Sequence, residues 1–206
     1  MTANRRAEEQ RSGGHTEPET AATDPRALWI FGYGSLVWRP DFPFTEKCVG
    51  YIRGWTRRFY QGSTDHRGVP EAPGRVVTLL PAPDAHCWGV AYHVKPSRAV
   101  EVLARLDHRE KGGYQRHEVL FHTNRAHRNE PPHQVLVYMA GTANPNYLGP
   151  AEQKSMVRQI IASTGPSGSN LEYLLKLAES LRQMNAHDAH VFELERQARV
   201  MATSRE

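Results

Sequence analysis

The pattern of apolar and polar residues divides the chain into a polar start, a middle typical of β-structure and a helical end. Residues 1–26 are rich in charged residues, Gly, Pro and Thr and have no apolar period, which predicts a disordered tail. Short runs of apolar, branched and aromatic residues then predict strands. These runs lie at residues 27–31, 47–60, 75–80, 88–94, 114–122 and 134–140. Between them, the Gly- and Pro-rich residues 62–74 predict a long loop, a kind of segment that often carries function.

Helical spacing appears first in mid-chain and then again towards the C-terminus. Val100, Leu103 and Leu106 predict a helix over residues 96–107. Two later stripes predict helices that pack at the end of the domain, the second with Asn170 as its N-cap. The stripes comprise Met156, Val157, Ile160 and Ile161, and then Leu171, Leu174, Leu175, Ala178 and Leu181.

Strands that come first, followed by one helix in mid-chain and helices at the end, are typical of the α+β class. We therefore predict an α+β fold with a small, mixed, barrel-like sheet and flanking helices. The length of 206 residues corresponds to one domain with extensions. We place this domain at residues 27–200 and expect residues 201–206 to fray.

Composition excludes several classes of protein. The 26 Lys and Arg residues exceed the 22 Asp and Glu residues by a net charge of +4, which is less than a dedicated nucleic-acid-binding protein carries. Two cysteines do not make a disulfide-rich scaffold or a four-cysteine zinc site. No apolar run reaches the ~18 residues of a membrane helix, and the charged start is unlike a signal peptide. We expect a cytoplasmic protein without membrane or nucleic-acid partners, and the sequence indicates no oligomeric state.

The first candidate for chemistry is the sequence GYGSL at residues 32–36, directly after the first predicted strand. Two glycines separated by one residue let the backbone turn sharply and let a ligand approach the main chain. Exposed N–H groups in such a turn can bind an anion. The sequence is equally compatible with a plain tight turn, and Ser35 is in neither a P-loop nor a nucleophile elbow.

The second candidate is Glu110, where the predicted helix stops before Gly112 and Gly113. A carboxyl group there acts as a general base if burial raises its pKa. By composition alone, an exposed ion pair with a neighbouring cation is the commoner role for a glutamate. Glu101 and Asp107 are competing carboxylates on the same helix.

Other kinds of site receive weaker support. His117 and His122 are five residues apart on a predicted strand and face opposite sides, so we expect no metal site. Ser35, Cys48 and Cys87 are possible nucleophiles, although a thiol inside a strand is more often inert. Basic and aromatic residues alternate at 53–60, which suits a nucleic-acid surface or, more commonly, a strand with its aromatic face in the core.

Seven motifs, in order, resemble those of the ChaC family of glutathione-specific γ-glutamylcyclotransferases. They are FGYGSLVW at 31–38, GSTDHRG at 62–68, PGRVVTL at 73–79, WGVAY at 88–92, REKGGY at 109–114, NPNYLGP at 144–150 and GPSG at 165–168. The resemblance spans residues 28–183 and leaves out the predicted tail. The undivided REKGGY block is more similar to the second of the two types in this family than to the first.

The resemblance implies a domain with a γ-glutamylcyclotransferase-like fold that converts glutathione to 5-oxoproline and Cys-Gly, with no cofactor or metal. It implies that Glu110 is the catalytic acid and base. It also implies that the substrate is bound by Ile30, Phe31, Gly32, Tyr33, Gly34, Ser35, Leu36 and Tyr147. Arg67 or Arg75 could contact the glycyl carboxylate of the substrate.

Two other functions stay open on the sequence. The domain could be a non-catalytic, regulatory binder of γ-glutamyl or other anionic ligands, which would not need a base at Glu110. It could also be a Ser- or Cys-dependent amidohydrolase, which would release glutamate instead of 5-oxoproline.

Overall fold

The structure, a computed structural model, is built around a closed barrel of five strands; it describes residues 28–110, 113–123 and 133–203. The barrel order is β1-β3-β2-β4-β5, and β1 returns to β5 through a parallel contact between Ile30 and Leu136. All other neighbours are antiparallel, so the sheet is mixed. The strands are β1 (Leu28–Gly32), β2 (Glu46–Ser63), β3 (Gly74–Val94), β4 (Gln115–Thr123) and β5 (His133–Met139).

In the residues that the structure describes, four helices flank the barrel, which confirms the predicted α+β class and barrel-like sheet. They are α1 (Pro96–Arg109), α2 (Gln153–Ala162), α3 (Asn170–Gln183) and α4 (Ala189–Thr203). The two-residue strands β6 (Thr164–Gly165) and β7 (Gly168–Ser169) pair between α2 and α3. Helix α4 continues three residues past the predicted end of the domain, and the predicted tail at 1–26 lies outside the described residues. In the part of the chain that the structure describes, no helix is long and apolar enough to cross a membrane.

The longest strands, β2 and β3, differ from the prediction. The two strands predicted at 75–80 and 88–94 are parts of the single strand β3, so this division was wrong. Pro81, His86 and Cys87, which lie between them, pair with β2. Pro81 is opposite Trp55 next to a register shift, where a missing N–H is tolerated. The shift includes Gly54, whose φ of 81° suits glycine. The connecting loop shrinks to residues 64–73.

The core fills the barrel and the space between it and the C-terminal helices. Apolar side chains from alternate strand positions point inward, and the buried stripes of α2, α3 and α4 cover the barrel wall. Fully burying one such side chain stabilises the fold by about 1.5–3 kcal/mol. The buried residues include Ile30, Phe31, Ile52, Phe59, Phe121, Val157, Ile160, Leu174, Leu177 and Leu194.

Helix α3 begins differently from the prediction. Ser169, not Asn170, is the N-cap, and its hydroxyl accepts a hydrogen bond from the Glu172 N–H at 3.1 Å. The Asn170 side chain is fully buried and pairs with the backbone of Arg75, accepting from its N–H at 2.6 Å and donating to its carbonyl at 2.7 Å. Asparagine and serine are both good caps, so only the tertiary contact with β3 decides between them.

A buried ion pair anchors the start of α4 to the barrel. Arg57 on β2 is 1% exposed and donates to Asp188 Oδ2 at 3.0 Å. Arg57 also donates to the Trp88 carbonyl and to Cys87 Sγ. Asp188 Oδ1 accepts from the Val191 N–H at 3.1 Å, so the same carboxylate caps α4. The alternating segment 53–60 therefore buries one of its cations together with an aromatic residue, Phe59.

His190 next to this pair predicts an acid-sensitive contribution to stability. Its Nε2 accepts a hydrogen bond from the Phe59 N–H at 3.1 Å, and burial lowers its pKa to about 4 from 6.5. The unfolded chain takes up this proton first, so the contribution is intact above about pH 6.5 and is lost as the pH falls towards 4. The two pKa values differ by two and a half, which corresponds to at most about 3 kcal/mol in the free energy of unfolding. We expect the free energy of unfolding of the parent, relative to that of His190→Gln, to be lower at about pH 4.5 than at about pH 7.5, as measured with urea. An equal difference at both pH values would contradict this prediction.

Candidate active site

A cavity of about 510 Å³ opens where three segments that are separate in the sequence meet in space. The loop after β1, the loop between β2 and β3 and the end of α1 supply most of its wall, and Tyr173 of α3 closes one side. Within the described residues, this cavity contains most of the predicted site residues.

The loop after β1 is held tightly in place. It contains a short 3₁₀ helix at Ser35–Val37. A Cβ atom on Gly32 would lie 2.6 Å from Leu36 Cβ, so this position requires glycine. A Cβ atom on Gly34 would lie 2.9 Å from the Tyr173 hydroxyl and would displace it. The buried Tyr92 hydroxyl donates to the Leu36 carbonyl at 2.7 Å. This packing fixes the backbone and leaves the Gly34 and Ser35 N–H groups without a partner among the described residues.

Two tyrosines, Tyr33 and Tyr114, contribute aromatic rings with hydroxyl groups to the cavity wall. The Tyr33 hydroxyl donates to the Tyr138 carbonyl at 2.9 Å. Burial raises the pKa of Tyr33 and of Tyr114 well above 10, and the nearby Glu110 carboxylate adds to the effect. Both phenols therefore stay neutral at physiological pH and do not serve as bases.

Glu110 lies at the C-terminal end of α1 and lines the cavity. Its backbone N–H closes the helix on Leu106 O at 2.7 Å, and its side chain is 18% exposed. Burial raises the pKa of this carboxyl group to about 7 from 4.5; Arg109 opposes the rise, whereas Asp65 and Asp41 add to it. A carboxyl group with a pKa near 7 can both accept and donate a proton under physiological conditions.

The competing carboxylates on α1 lie elsewhere. Glu101 is 59% exposed and pairs with Arg98 at 2.9 Å. Asp107 is half exposed and bound by Arg116 and by the Tyr138 hydroxyl, and these hydrogen bonds lower its pKa. The structure therefore gives Glu110 alone, among these three, the surroundings of a proton-transfer group.

The two candidate arginines are in different positions. Arg75 is buried among the Phe59 and Gly149 carbonyls and the Gln159 side chain, outside the cavity wall. Arg67 lines the cavity. Its Nη1 is held by the Ser169 carbonyl at 3.0 Å and by Glu172 Oε2 at 2.8 Å. The Ser169 and Glu172 contacts orient the guanidinium and leave its other nitrogens without partners among the described residues.

The candidate nucleophiles lack the surroundings of one. Ser35 Oγ accepts a hydrogen bond from Arg109 Nη2 at 2.6 Å, so its described partner is a cation and not a base. Cys87 is buried beside Arg57, and burial raises the pKa of its thiol to about 11. Neither Cys48 nor Cys87 lines the cavity. No group of three or more His, Cys, Asp or Glu side chains in the described ranges could hold a metal ion.

The remaining predicted residues divide into two groups. Phe31, Tyr33, Gly34, Ser35, Leu36 and Glu110 line the cavity. Ile30, Gly32 and Tyr147 do not line it: Ile30 points into the barrel core, Gly32 ends β1, and Tyr147 forms a bridge with Gln61. Asn146, the neighbour of Tyr147, reaches the cavity instead.

Sequence reasoning missed most of the charged wall. Four guanidinium groups outnumber three carboxyl groups, with two histidines beside them: Arg39, Arg67, Arg105, Arg109, Asp41, Asp65, Glu110, His66 and His108. Arg109 was adjacent to Glu110 in the sequence, and that adjacency was the only signal available. Asp41 and Asp65 lie in loops and had no periodic pattern to mark them.

The fold and this cavity define a class: a closed barrel with flanking helices, in which a partly buried carboxyl group of raised pKa and a glycine-rich backbone turn line one cavity. The sequence profile of the family described as "ChaC-like protein" matches residues 28–201. The chain belongs to this family, and the resemblance stated from the seven motifs is confirmed.

Relatives support the assignment over most of the chain. Human glutathione-specific gamma-glutamylcyclotransferase 1 is 49% identical over 172 residues, covering 82% of this chain and 77% of the relative. The zebrafish protein of the same name (Danio rerio) is 46% identical, covering 92% and 96%. A crystal structure of a γ-glutamyl cyclotransferase specific to glutathione from yeast has a TM-score of 0.77 and 33% identity, covering 84% and 96%. Both vertebrate names carry the number 1, so they give no support to a closer likeness to the second type.

Proposed function

We propose that this chain cleaves the γ-glutamyl bond of glutathione and releases 5-oxoproline and Cys-Gly. The observation that carries the proposal is the Glu110 carboxyl group, with a pKa raised to about 7, in a cavity walled by the glycine-rich turn of the family. The names of the relatives give the substrate.

Glutathione brings its own nucleophile to this reaction. The α-amine of the γ-glutamyl group attacks the γ-carbonyl carbon, and the new C–N bond closes a five-membered ring. The bond from that carbon to the cysteinyl nitrogen then breaks. No water, metal or enzyme nucleophile enters, so the task of the protein is to fold the substrate and move protons. Holding the amine against the carbonyl supplies several kcal/mol of the barrier, up to about 7–11.

Glu110 moves the protons. In its ionised form it accepts a proton from the substrate ammonium and so frees the attacking amine. In its protonated form it gives that proton to the departing cysteinyl nitrogen. Ring closure removes a second proton from the attacking nitrogen, and this proton also passes to the cysteinyl nitrogen, so Cys-Gly leaves as an ammonium. Two protons leave the α-nitrogen and two reach the cysteinyl nitrogen, and Glu110 is restored at the end. We expect kcat/KM to rise with pH through about 7, the pKa of Glu110.

The charges of the cavity suit the substrate. Glutathione carries two carboxylates and one ammonium group, and the excess of guanidinium groups in the wall complements its net negative charge. The N–H groups of Gly34 and Ser35 would bind the α-carboxylate or the developing oxyanion, where one donor contributes about 3–4 kcal/mol. The guanidinium of Arg67 would bind the glycyl carboxylate.

Arg67→Gln tests the last of these contacts. A charged hydrogen bond contributes about 1.5–3 kcal/mol, so we expect KM to rise about tenfold or more while kcat changes little. Steady-state kinetics with glutathione measure both constants, and a thermal melt checks the contacts to Ser169 and Glu172. The matched control is Arg53→Gln, an exposed arginine on β2 that lies outside the cavity. A fall in kcat at unchanged KM would place Arg67 in the proton-transfer step instead.

Product analysis tests the function itself. The purified chain is incubated with reduced glutathione in the presence of a chelator, and the products are identified by mass spectrometry. 5-Oxoproline with Cys-Gly supports the proposal. Free glutamate would support an amidohydrolase, and intact glutathione with measurable binding would support a regulatory binder. We also propose a cytoplasmic location, because the sequence contains only two cysteines and lone thiols persist in a reducing compartment.

A further inference from the structure

The Arg109 guanidinium connects three separate parts of the cavity wall. Its Nη2 donates to Ser35 Oγ at 2.6 Å, in the turn after β1. Its Nη1 donates to Asp41 Oδ1 at 2.8 Å, and its Nε lies 3.4 Å from Glu110 Oε1. One side chain from the end of α1 therefore contacts the turn, the following loop and the carboxyl group that moves the protons.

The geometry requires a guanidinium and not merely a positive charge. Three different nitrogens face three different acceptors, which the planar fork of arginine permits and the single ammonium of lysine does not. The Arg109 side chain is 20% exposed and is thus partly withdrawn from water. Asp41 has a φ of 43°, a left-handed conformation that its ion pair with Arg109 helps to hold.

We propose that Arg109 is a positioning residue, which fixes the Ser35 turn at a set distance from Glu110 and keeps the Glu110 carboxylate ready to accept a proton. The inference rests on the proposed function, because the position of Glu110 matters only if this carboxylate acts on the substrate in the cavity.

The contact also sets the direction in which Ser35 can act. A guanidinium only donates hydrogen bonds, so the Ser35 oxygen is the acceptor towards Arg109. The Ser35 hydroxyl proton then remains available for an acceptor on the substrate, such as a carboxylate. Arg109 in this way orients both a donor to the substrate and the base that faces it.

Electrostatics gives the inference a measurable signature. Arg109 is the main group that lowers the pKa of Glu110 against the effect of burial, and Asp41 and Asp65 act in the other direction. An opposite charge within ~4–6 Å lowers a carboxyl pKa by about 1–3 units. Removing the guanidinium therefore raises the pKa of Glu110, and less of the ionised base is present at neutral pH.

The experiment compares Arg109→Gln, Arg109→Lys and the parent in full pH profiles of kcat/KM with glutathione. For Arg109→Gln we expect the acidic limb to move up by about one pH unit or more and kcat/KM at about pH 7 to fall about tenfold or more. For Arg109→Lys we expect the limb to stay near that of the parent while kcat still falls. The matched control is Arg98→Gln, which changes an exposed arginine paired with Glu101 on the same helix. This control should change neither the acidic limb nor kcat.

Three results would overturn the inference. An unshifted limb in Arg109→Gln, with only a lower melting temperature, would reduce Arg109 to a structural role. A parent-like kcat in Arg109→Lys would show that charge suffices and that the fork does not position the turn. Absence of 5-oxoproline from the parent would overturn the proposed function and this inference together, and it is distinguishable because it is seen before any variant is made.

Discussion

We expect Glu110→Gln to lose nearly all turnover of glutathione while keeping its fold. A general acid and base contributes about 10²–10⁴-fold to the rate, and the glutamine amide can neither accept the ammonium proton nor return one. The change keeps the size of the side chain at the C-cap of α1, where its backbone N–H bonds to Leu106 O. Mass spectrometry of 5-oxoproline under single-turnover and multiple-turnover conditions measures the loss.

The same variant should be more stable than the parent at alkaline pH. The folded pKa of Glu110, about 7, lies above its ordinary value of 4.5, so the folded chain holds its proton more tightly than the unfolded chain. Stability therefore falls as the pH rises from 4.5 through 7, by up to about 3 kcal/mol. Glutamine lacks this penalty. In urea unfolding, the free energy of unfolding of the variant should therefore exceed that of the parent at about pH 8, and the two values should converge at about pH 4.

The matched control for Glu110→Gln is Glu101→Gln, the same change on an exposed position of the same helix. It should leave both turnover and the pH dependence of stability unchanged. A fully active Glu110→Gln would refute the assignment of the base. Loss of activity in Glu101→Gln alone would move the base to that residue, against its 59% exposure.

The largest expected effect on stability is that of Asp188→Asn. The substitution leaves the Arg57 guanidinium buried at 1% exposure without its anionic partner. Removing one partner of a buried ion pair destabilises a protein by about 3–5 kcal/mol. Asparagine remains a good N-cap, so the Val191 N–H at the start of α4 keeps an acceptor and the loss reports on the charge. Urea unfolding at neutral pH measures the change.

A second variant and a double variant separate the contribution of the buried ion pair to stability from the contribution of a helix N-cap. Ser169→Ala removes the N-cap of α3 without touching an ion pair, and we expect a loss of only about 1 kcal/mol. Arg57→Met combined with Asp188→Asn should recover much of the stability, because it removes the unpaired charge. A loss below about 1 kcal/mol in Asp188→Asn would mean that the Trp88 carbonyl and Cys87 satisfy Arg57 without Asp188.

Glu110 shows how far the sequence alone could go towards the site. Its place at the end of a helix followed from the apolar spacing before it and the glycines after it. The residues themselves gave no reason to prefer Glu110 to Glu101 or Asp107, and the preference came from the resemblance to a family. The structure supplies the physical reason, because only Glu110 among the three is both shielded from water and open to the cavity.

The strands show the corresponding limit for the fold. The prediction broke β3 at a stretch rich in proline and polar residues, since local composition there is typical of a loop. Cross-strand pairing of Pro81, His86 and Cys87 with β2 continues the strand through this stretch, and a contact between residues so far apart in the chain leaves no local pattern. The same reason explains why Asn170 was wrongly predicted as the N-cap of α3: its side chain forms hydrogen bonds with the distant Arg75 backbone instead.

The sequence by itself determined the class of the fold, the place of most strands and helices, and the family, because apolar periodicity and contiguous motifs are local properties of the chain. Only the tertiary structure decided which charges meet. The contacts of Arg109 with Ser35 and Asp41, of Arg67 with Glu172 and of Arg57 with Asp188 join residues that are 68 to 131 positions apart. The pKa of Glu110 depends on such neighbours and on burial, and both arise only when the barrel closes and the loops fold over its end.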